Sequence, residues 1–279
     1  KETSLISKNE LANKLGIKNI TFKDERTRMG LGSFKALGAS YVIAKAAYNE
    51  IGENIKNSEM ASNALKGKTF VTASAGNHGL SVAAGARIFG AKAVIYLSVS
   101  VPETFIKRLK SYGSDVIIEG EDYESSMSAA EKASIDNNWI LISDVTWKGY
   151  SGGIDVMEGY LVMASETADR WIGDPPSHVY LQTGCGGMAA AISAHLRKRW
   201  GNEFTICTVE PDAAPALQES IINGKPVNTN GPISNMGRLD CKAPSHIALK
   251  GLAKDADYFM TLSDEFVSKE IAVLKNFDL

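Results

Sequence analysis

One lysine stands where an amine could do covalent chemistry. The residues Asn19-Ile20-Thr21-Phe22 are short, apolar and β-branched, and they predict a strand. Residues 33–50 carry apolar side chains at helical spacing, with Ser33 as the N-cap. Lys35 therefore falls in the first turn of a helix that follows a strand and a glycine-containing loop. A helix dipole favours anions at that address and disfavours a cation. A solvated surface lysine is the ordinary alternative. The flanking Phe34 and Leu37, with Gly30, Gly32 and Gly38, argue instead for a crowded site. A desolvated lysine near positive potential has a lowered pKa, which is what an amine needs to form a Schiff base. Lys35 is the candidate nucleophile.

Two strand-to-helix loops carry further chemistry. Thr183-Gly184-Cys185-Gly186-Gly187-Met188 lies between an apolar strand and an alanine-rich helix. Glycines there let backbone amides approach a phosphate, and the helix N-terminus adds favourable partial charge. No Lys-Ser or Lys-Thr pair follows, so it is not a Walker loop, and the dinucleotide fingerprint is missing too. A tight turn is the structural alternative. Ser74-Ala75-Gly76-Asn77-His78-Gly79 clusters backbone amides, an amide side chain and an imidazole at a helix start, which suits a carboxylate and a hydroxyl. Ser74 and Asn77 are also good caps, and His78 taken alone is more readily structural than catalytic. Asp144 follows a strand, where an aspartate usually caps or turns; its interest lies in facing the same cleft. Glu210 at a later strand end ranks below it.

The elements that must position these residues alternate regularly. Strands are expected at 69–72, 93–97, 115–118 and 139–142, with helices to Phe89 and over 102–112 and 123–137. After a glycine-rich break at 148–153, the pattern resumes with a helix at 154–171. Strands at 178–181, 204–209 and 258–261 follow, with helices at 188–200, 213–223 and 263–277. Residues 51–68 read as a surface helix or loop, and 228–245 as a long irregular loop. Such alternation indicates parallel sheets with right-handed crossovers. The expected architecture is α/β: two open parallel-sheet domains with the ligand in the cleft between them. Residues 1–37 with 153–279 form the larger, cofactor-binding domain, and 38–152 the smaller one.

Composition bounds the class. The 279 residues can bury a large core, and 44% hydrophobic with 22% charged residues is ordinary for a globular enzyme. A net charge of −2 gives no reason to expect nucleic acid or an acidic membrane as partner. The three widely spaced cysteines, Cys185, Cys207 and Cys241, form no zinc or disulfide framework and suit a reducing cytoplasm. No apolar run approaches ~20 residues. The start at Lys1 and the stop at Leu279, just past a helix, suggest the middle of a longer protein.

Together, Lys35 after Ser33-Phe34, the 74–79 loop and the 184–187 loop resemble the pyridoxal-phosphate enzymes of the tryptophan-synthase β-like fold (fold type II). Threonine and serine dehydratases belong there. Within that group, Lys23-Asp24-Glu25, Arg28-Met29-Gly30-Leu31, residues 144–150 and residues 236–241 resemble diaminopropionate ammonia-lyases. The resemblance implies a Schiff base on Lys35, with Phe34 packing near the cofactor and Asn77 bonding its 3′-hydroxyl. Gly184, Cys185, Gly186, Gly187 and Met188 would cradle its phosphate. Ser74, Asn77 and His78 would bind substrate, and Asp144 would be catalytic. It also implies a homodimer acting on a small amino acid. In the lyases the second loop reads Thr-Asp-Gly-Asn-His-Gly, and its aspartate is the base for the D-isomer. Ala75 replaces that base here, as in dehydratases of hydroxy amino acids, which implies a preference for the L-isomer. Glu210 and Ala214 are similar to the metal site of serine racemases, but Ala216 stands where an acidic ligand belongs, so no metal is expected. The expected reaction is α,β-elimination, releasing ammonia and a 2-keto acid. A dehydratase of serine or threonine is the alternative, and a non-catalytic binder of a phosphorylated ligand a remote one.

Overall fold

The computed structural model describes residues 1–52 and 57–279. Part of the surface segment expected at 51–68 lies outside the described residues; within the remainder, Ser58–Asn63 forms the short helix α3. The chain divides into two compact units, residues 26–160 and residues 1–25 with 161–279. The domain limits expected at 37/38 and 152/153 both fall inside the first of these.

Residues 26–160 are built on a four-stranded, wholly parallel sheet. Its strands are β3 (Thr69–Ala73), β4 (Lys92–Leu97), β5 (Asp115–Ile118) and β6 (Ile140–Leu141), in the order β5-β4-β3-β6. Four helices of this unit are α2 (Lys35–Ile51), α4 (Asn77–Ile88), α5 (Glu103–Ser111) and α6 (Tyr123–Asp136). Sheet residues Val71, Ala73, Val94 and Tyr96 pack with Ala130 and Ala133 of α6. Phe70 and Ile95 are fully buried as well, so β3 and β4 read as nearly continuous apolar runs. On α2, Ala36, Ala39, Ser40, Ile43 and Ala47 are buried at helical spacing. Small residues bring α2 against its neighbours. Ser81 of α4 donates to the Ala36 carbonyl at 3.2 Å. A Cβ on Gly85 would come within 2.9 Å of Ile43.

The strand order places a switch point in this unit. From β3 the chain moves outward through β4 to β5, then returns so that β6 lies on the other side of β3. The loops leaving β3 and β6 thus diverge, and the crevice at their carboxyl ends is where open α/β sheets take ligands. Ser74 leaves the first of these strands and Asp144 the second.

The other unit holds a three-stranded parallel sheet, β7 (His178–Gln182), β8 (Thr205–Pro211) and β9 (Tyr258–Leu262), in the order β7-β8-β9. Its helices include α8 (Gly187–Trp200), α9 (Ala216–Asn223), α10 (His246–Asp255) and α11 (Asp264–Leu274). Arg197 ties them together, donating to the carbonyls of Asp255 (3.0 Å) and Phe204 (2.8 Å) and pairing with Asp257 at 2.6 Å. The chain's start adds an antiparallel pair, β1 (Ser4–Ser7) with β2 (Thr21–Asp24), around α1 (Asn9–Leu15). Lys23 pairs with Glu166 at 2.7 Å and donates to the Thr3 carbonyl at 2.8 Å. Helix α7 (Gly153–Arg170) carries the boundary between the units, at residues 160/161.

The sequence expectations miss three elements, β1, α1 and α10. Short polar segments such as Asn9-Glu10-Leu11-Ala12-Asn13-Lys14-Leu15 offer only two apolar turns, and tertiary packing decides them.

Candidate active site

Lys35 is the first residue of α2, with Phe34 in the cap position. Ser33 is not the N-cap proper. Its hydroxyl accepts the Lys35 N–H at 3.2 Å, two residues on, which is a hydroxyl turn ahead of the helix. The lysine's Nζ pairs with the Asp144 carboxylate. It also lies 5.4 Å from the Phe34 ring centroid and 5.8 Å from that of Tyr160, and the two rings meet edge to face. Gly38 makes room for this arrangement, since a Cβ there would come within 2.8 Å of the Tyr160 ring. The sequence reading placed positive potential beside the amine. The structure adds a carboxylate counter-ion, which stabilises the ammonium form.

Asp144 stands at the carboxyl end of β6, about one-sixth exposed. Burial raises its pKa, but the charge of Lys35 and the hydrogen bond from Lys35 outweigh that and hold it below the usual carboxylate range. It is ionised throughout the physiological range.

The loop after β3 delivers the next group. Ser74 turns onto itself, its hydroxyl accepting the Gly76 N–H at 3.3 Å. Gly79 must be glycine, because a Cβ would sit 2.1 Å from the Ser74 carbonyl oxygen. No side chain caps α4, so the N–H groups of its first turn have no side-chain cap to satisfy them. His78 is buried, and its Nε2 lies 3.1 Å from the Ile142 carbonyl. A carbonyl only accepts, so Nε2 carries the proton. Nδ1 is left as a buried acceptor with no hydrogen-bond partner among the described residues. Burial lowers the His78 pKa, and it stays neutral. This bond ties the 74–79 loop to the strand that presents Asp144. Lys35, Asp144 and His78 therefore meet at one switch point, with Ser74 and Asn77 half-buried beside it.

The 184–188 loop belongs to the other unit. Gly186 has φ +95° and caps α8 without any side-chain bond. A Cβ on Gly184 would approach Cys241 Sγ to 2.7 Å, so the 236–241 segment lies directly against this loop. Cys185 and Met188 are buried.

Residues 1–272 match the family described as pyridoxal-phosphate dependent enzyme. The chain belongs to that family. Pyridoxal phosphate is its cofactor, and its fold is type II. Diaminopropionate ammonia-lyase from Escherichia coli (strain K12) is 31% identical over 282 residues, covering 98% of this chain and 71% of that protein. Threonine dehydratase 1 biosynthetic, chloroplastic, from Solanum lycopersicum is 28% identical over 226 residues, covering 81% of this chain and 33% of that protein. The crystal structure of the Escherichia coli lyase in complex with D-serine superposes with a TM-score of 0.84 at 30% identity, covering 93% of this chain and 67% of that one.

The residues present fit this cofactor. The family needs a lysine amine that a carbonyl can reach, and Lys35 is about one-fifth exposed. It also needs anion-binding amides, and in the other unit the start of α8, whose cap Gly186 makes no side-chain bond, presents amides of that kind. Glu210 has a different role. Its two carboxylate oxygens accept the N–H groups of Leu217 and Gln218 at 2.8 Å each, capping α9. Tyr160 beside Lys35 escaped the sequence reading, and Tyr150 behind Asp144 was read there only as part of the 144–150 stretch, with no role of its own. The adjacent Gly159, whose Cβ would come within 2.4 Å of the Leu37 carbonyl, was the available signal for Tyr160.

Proposed function

We propose that the chain is an ammonia-lyase acting on a small diamino acid, releasing ammonia and a 2-keto acid, with the L-isomer preferred. One observation carries the reading: Asp144 already holds an ammonium, that of Lys35, at the β3/β6 switch point. A substrate with a β-ammonium presents the same charge to the same carboxylate, whereas serine and threonine present a neutral hydroxyl.

Roles follow from position. Lys35 holds the cofactor through its amine and moves the substrate's α-proton. The uncapped amides of α4, with Ser74, Asn77 and His78, take the substrate carboxylate. Asp144 orients the β-amino group or protonates it as it leaves. Phe34 packs beside the cofactor and Asn77 bonds its hydroxyl, while Gly184, Cys185, Gly186, Gly187 and Met188 hold its phosphate. When bound, pyridoxal phosphate supplies the electron sink for charge developing at the α-carbon. Residues 38–152 act as a smaller domain and residues 1–37 with 153–279 as a larger, cofactor-binding one. The working form is a homodimer in the cytoplasm, for which sedimentation of the purified protein is the first check.

A second reading, dehydratase of a hydroxy amino acid, is favoured by Ala75, the residue such enzymes carry. Steady-state turnover of L-diaminopropionate, L-serine and L-threonine, followed by keto-acid release, separates the two. Faster turnover of either hydroxy acid would replace the first reading with the second. Lys35→Ala should abolish turnover and the cofactor's visible absorption band while the protein stays folded. A band retained at another lysine would refute the assignment.

A further inference from the structure

The backbone on either side of Asp144 is tied by several hydrogen bonds. The Ile142 N–H donates to the Val71 carbonyl at 2.9 Å, and the Ile142 carbonyl accepts from His78 at 3.1 Å. The Val145 N–H donates to Ser143 Oγ at 3.3 Å. The Leu141 carbonyl and the Ser143 N–H both go to a single hydroxyl. Tyr150 Oη accepts the Ser143 N–H at 2.9 Å and donates to the Leu141 carbonyl at 3.2 Å. Those bonds use both its donor and an acceptor site.

The 147–153 segment is folded to deliver that hydroxyl. Trp147 and Tyr150 exchange backbone hydrogen bonds at 3.2 and 3.0 Å, and their rings stack at 4.4 Å between centroids. Gly149 closes the turn with φ +101°. A Cβ on Gly152 would stand 2.5 Å from Tyr150 Oη, and one on Gly153 would stand 3.0 Å from the Val145 carbonyl. The loop therefore lies flat against the Asp144 turn, with its glycines where side chains would push it away. Burial raises the Tyr150 pKa to about 12, so the phenol keeps its proton.

We propose that Tyr150 is the positioning residue for Asp144: its hydroxyl fixes the backbone of residues 141–143 and so sets where the carboxylate stands against Lys35. This rests on the role given to Asp144 above. Besides Tyr150 itself, the ionisable groups facing that carboxylate include Lys35 from α2 and His78 from α4.

The test reads Asp144 directly, in full-length cofactor-free protein, by following its ¹³C-labelled carboxyl resonance with pH. Asp144→Asn assigns the signal. Wild-type Asp144 should stay ionised down to the lowest pH the fold tolerates. In Tyr150→Phe, which keeps the ring and its stack on Trp147, the midpoint should rise by at least about one pH unit as the pair with Lys35 loosens. Gly152→Ala, which displaces the hydroxyl without removing it, should give the same direction. Trp147→Phe should leave the titration in place. In the holoenzyme, Tyr150→Phe should lower kcat/KM for L-diaminopropionate by about 10- to 100-fold, and by less for L-serine. If Tyr150→Phe only lowers the melting temperature and Asp144 titrates as before, the proposal falls. It falls equally if Trp147→Phe moves Asp144 as far, because packing rather than the hydroxyl would then be responsible. Should Asp144→Asn retain full diaminopropionate turnover, the catalytic role of Asp144 fails instead, while the titration still decides whether Tyr150 positions it.

Discussion

Stereochemistry is decided at the level of single residues. The resemblance drawn from the sequence puts Ala75 where diaminopropionate ammonia-lyases carry an aspartate, and alanine can neither take a proton nor hold an ammonium. With Lys35 as the only base, the enzyme should process the isomer whose α-proton points at that lysine. General-base assistance typically contributes about 10²–10⁴-fold. The rate on L-diaminopropionate should therefore exceed that on the D-isomer by about that factor under identical conditions. Comparable rates would show that a second base exists. Ala75→Asp should raise turnover of the D-isomer, and an unchanged L/D ratio in that variant would count against this account.

At the scale of elements, two helical glycines make opposite predictions. Gly79 lies in the first turn of α4, where an added Cβ would meet the Ser74 carbonyl oxygen at 2.1 Å. The obstacle is backbone and has no flexible end to move. Gly79→Ala should destabilise the protein by about 3 kcal/mol, with the 74–79 turn forced off the helix. Gly251 lies inside α10, and its nearest neighbour would be the Ala190 Cβ at 3.6 Å, an ordinary contact. Gly251→Ala should stabilise by about 0.5–1 kcal/mol through the lower entropy of the unfolded chain. Denaturant unfolding of both variants checks the pair. Equal and opposite effects are not required, but a stabilised Gly79→Ala would contradict the geometry.

For the whole molecule, a buried carboxylate couples folding to pH. Glu210 is 1% exposed, and burial raises its pKa to about 7 although two backbone N–H groups pull the other way. The fold thus favours the protonated acid. Its stabilising contribution is complete below the unfolded pKa, near 4.5, and is lost as the pH rises through about 7. A shift of that size corresponds to about 3 kcal/mol between the two limits. Thermal unfolding between pH 5 and 8 should show stability declining across this window, and Glu210→Gln should flatten the decline. A variant with the same pH dependence as the wild type would assign the slope to other groups.

The sequence by itself determined the α/β class, the parallel strands and the two glycine-bearing strand-to-helix loops. These are local properties: apolar runs of strand length, helical spacing and turn residues specify themselves within a few residues. It also singled out Lys35 and Asp144, each by its place at the end of an element. That the two form an ion pair was decided only by the tertiary structure, because 109 positions separate them. Their meeting depends on β6 returning to lie beside β3 rather than beyond β5. The same holds for Tyr150, whose hydroxyl could satisfy any nearby backbone group until the fold placed it on Leu141 and Ser143. Glu210, read from the sequence as a strand-end acid, became a helix cap once α9 turned its first amides onto it. Spacing along a chain fixes which residues share an element, but which elements become neighbours is set by the burial of their apolar faces.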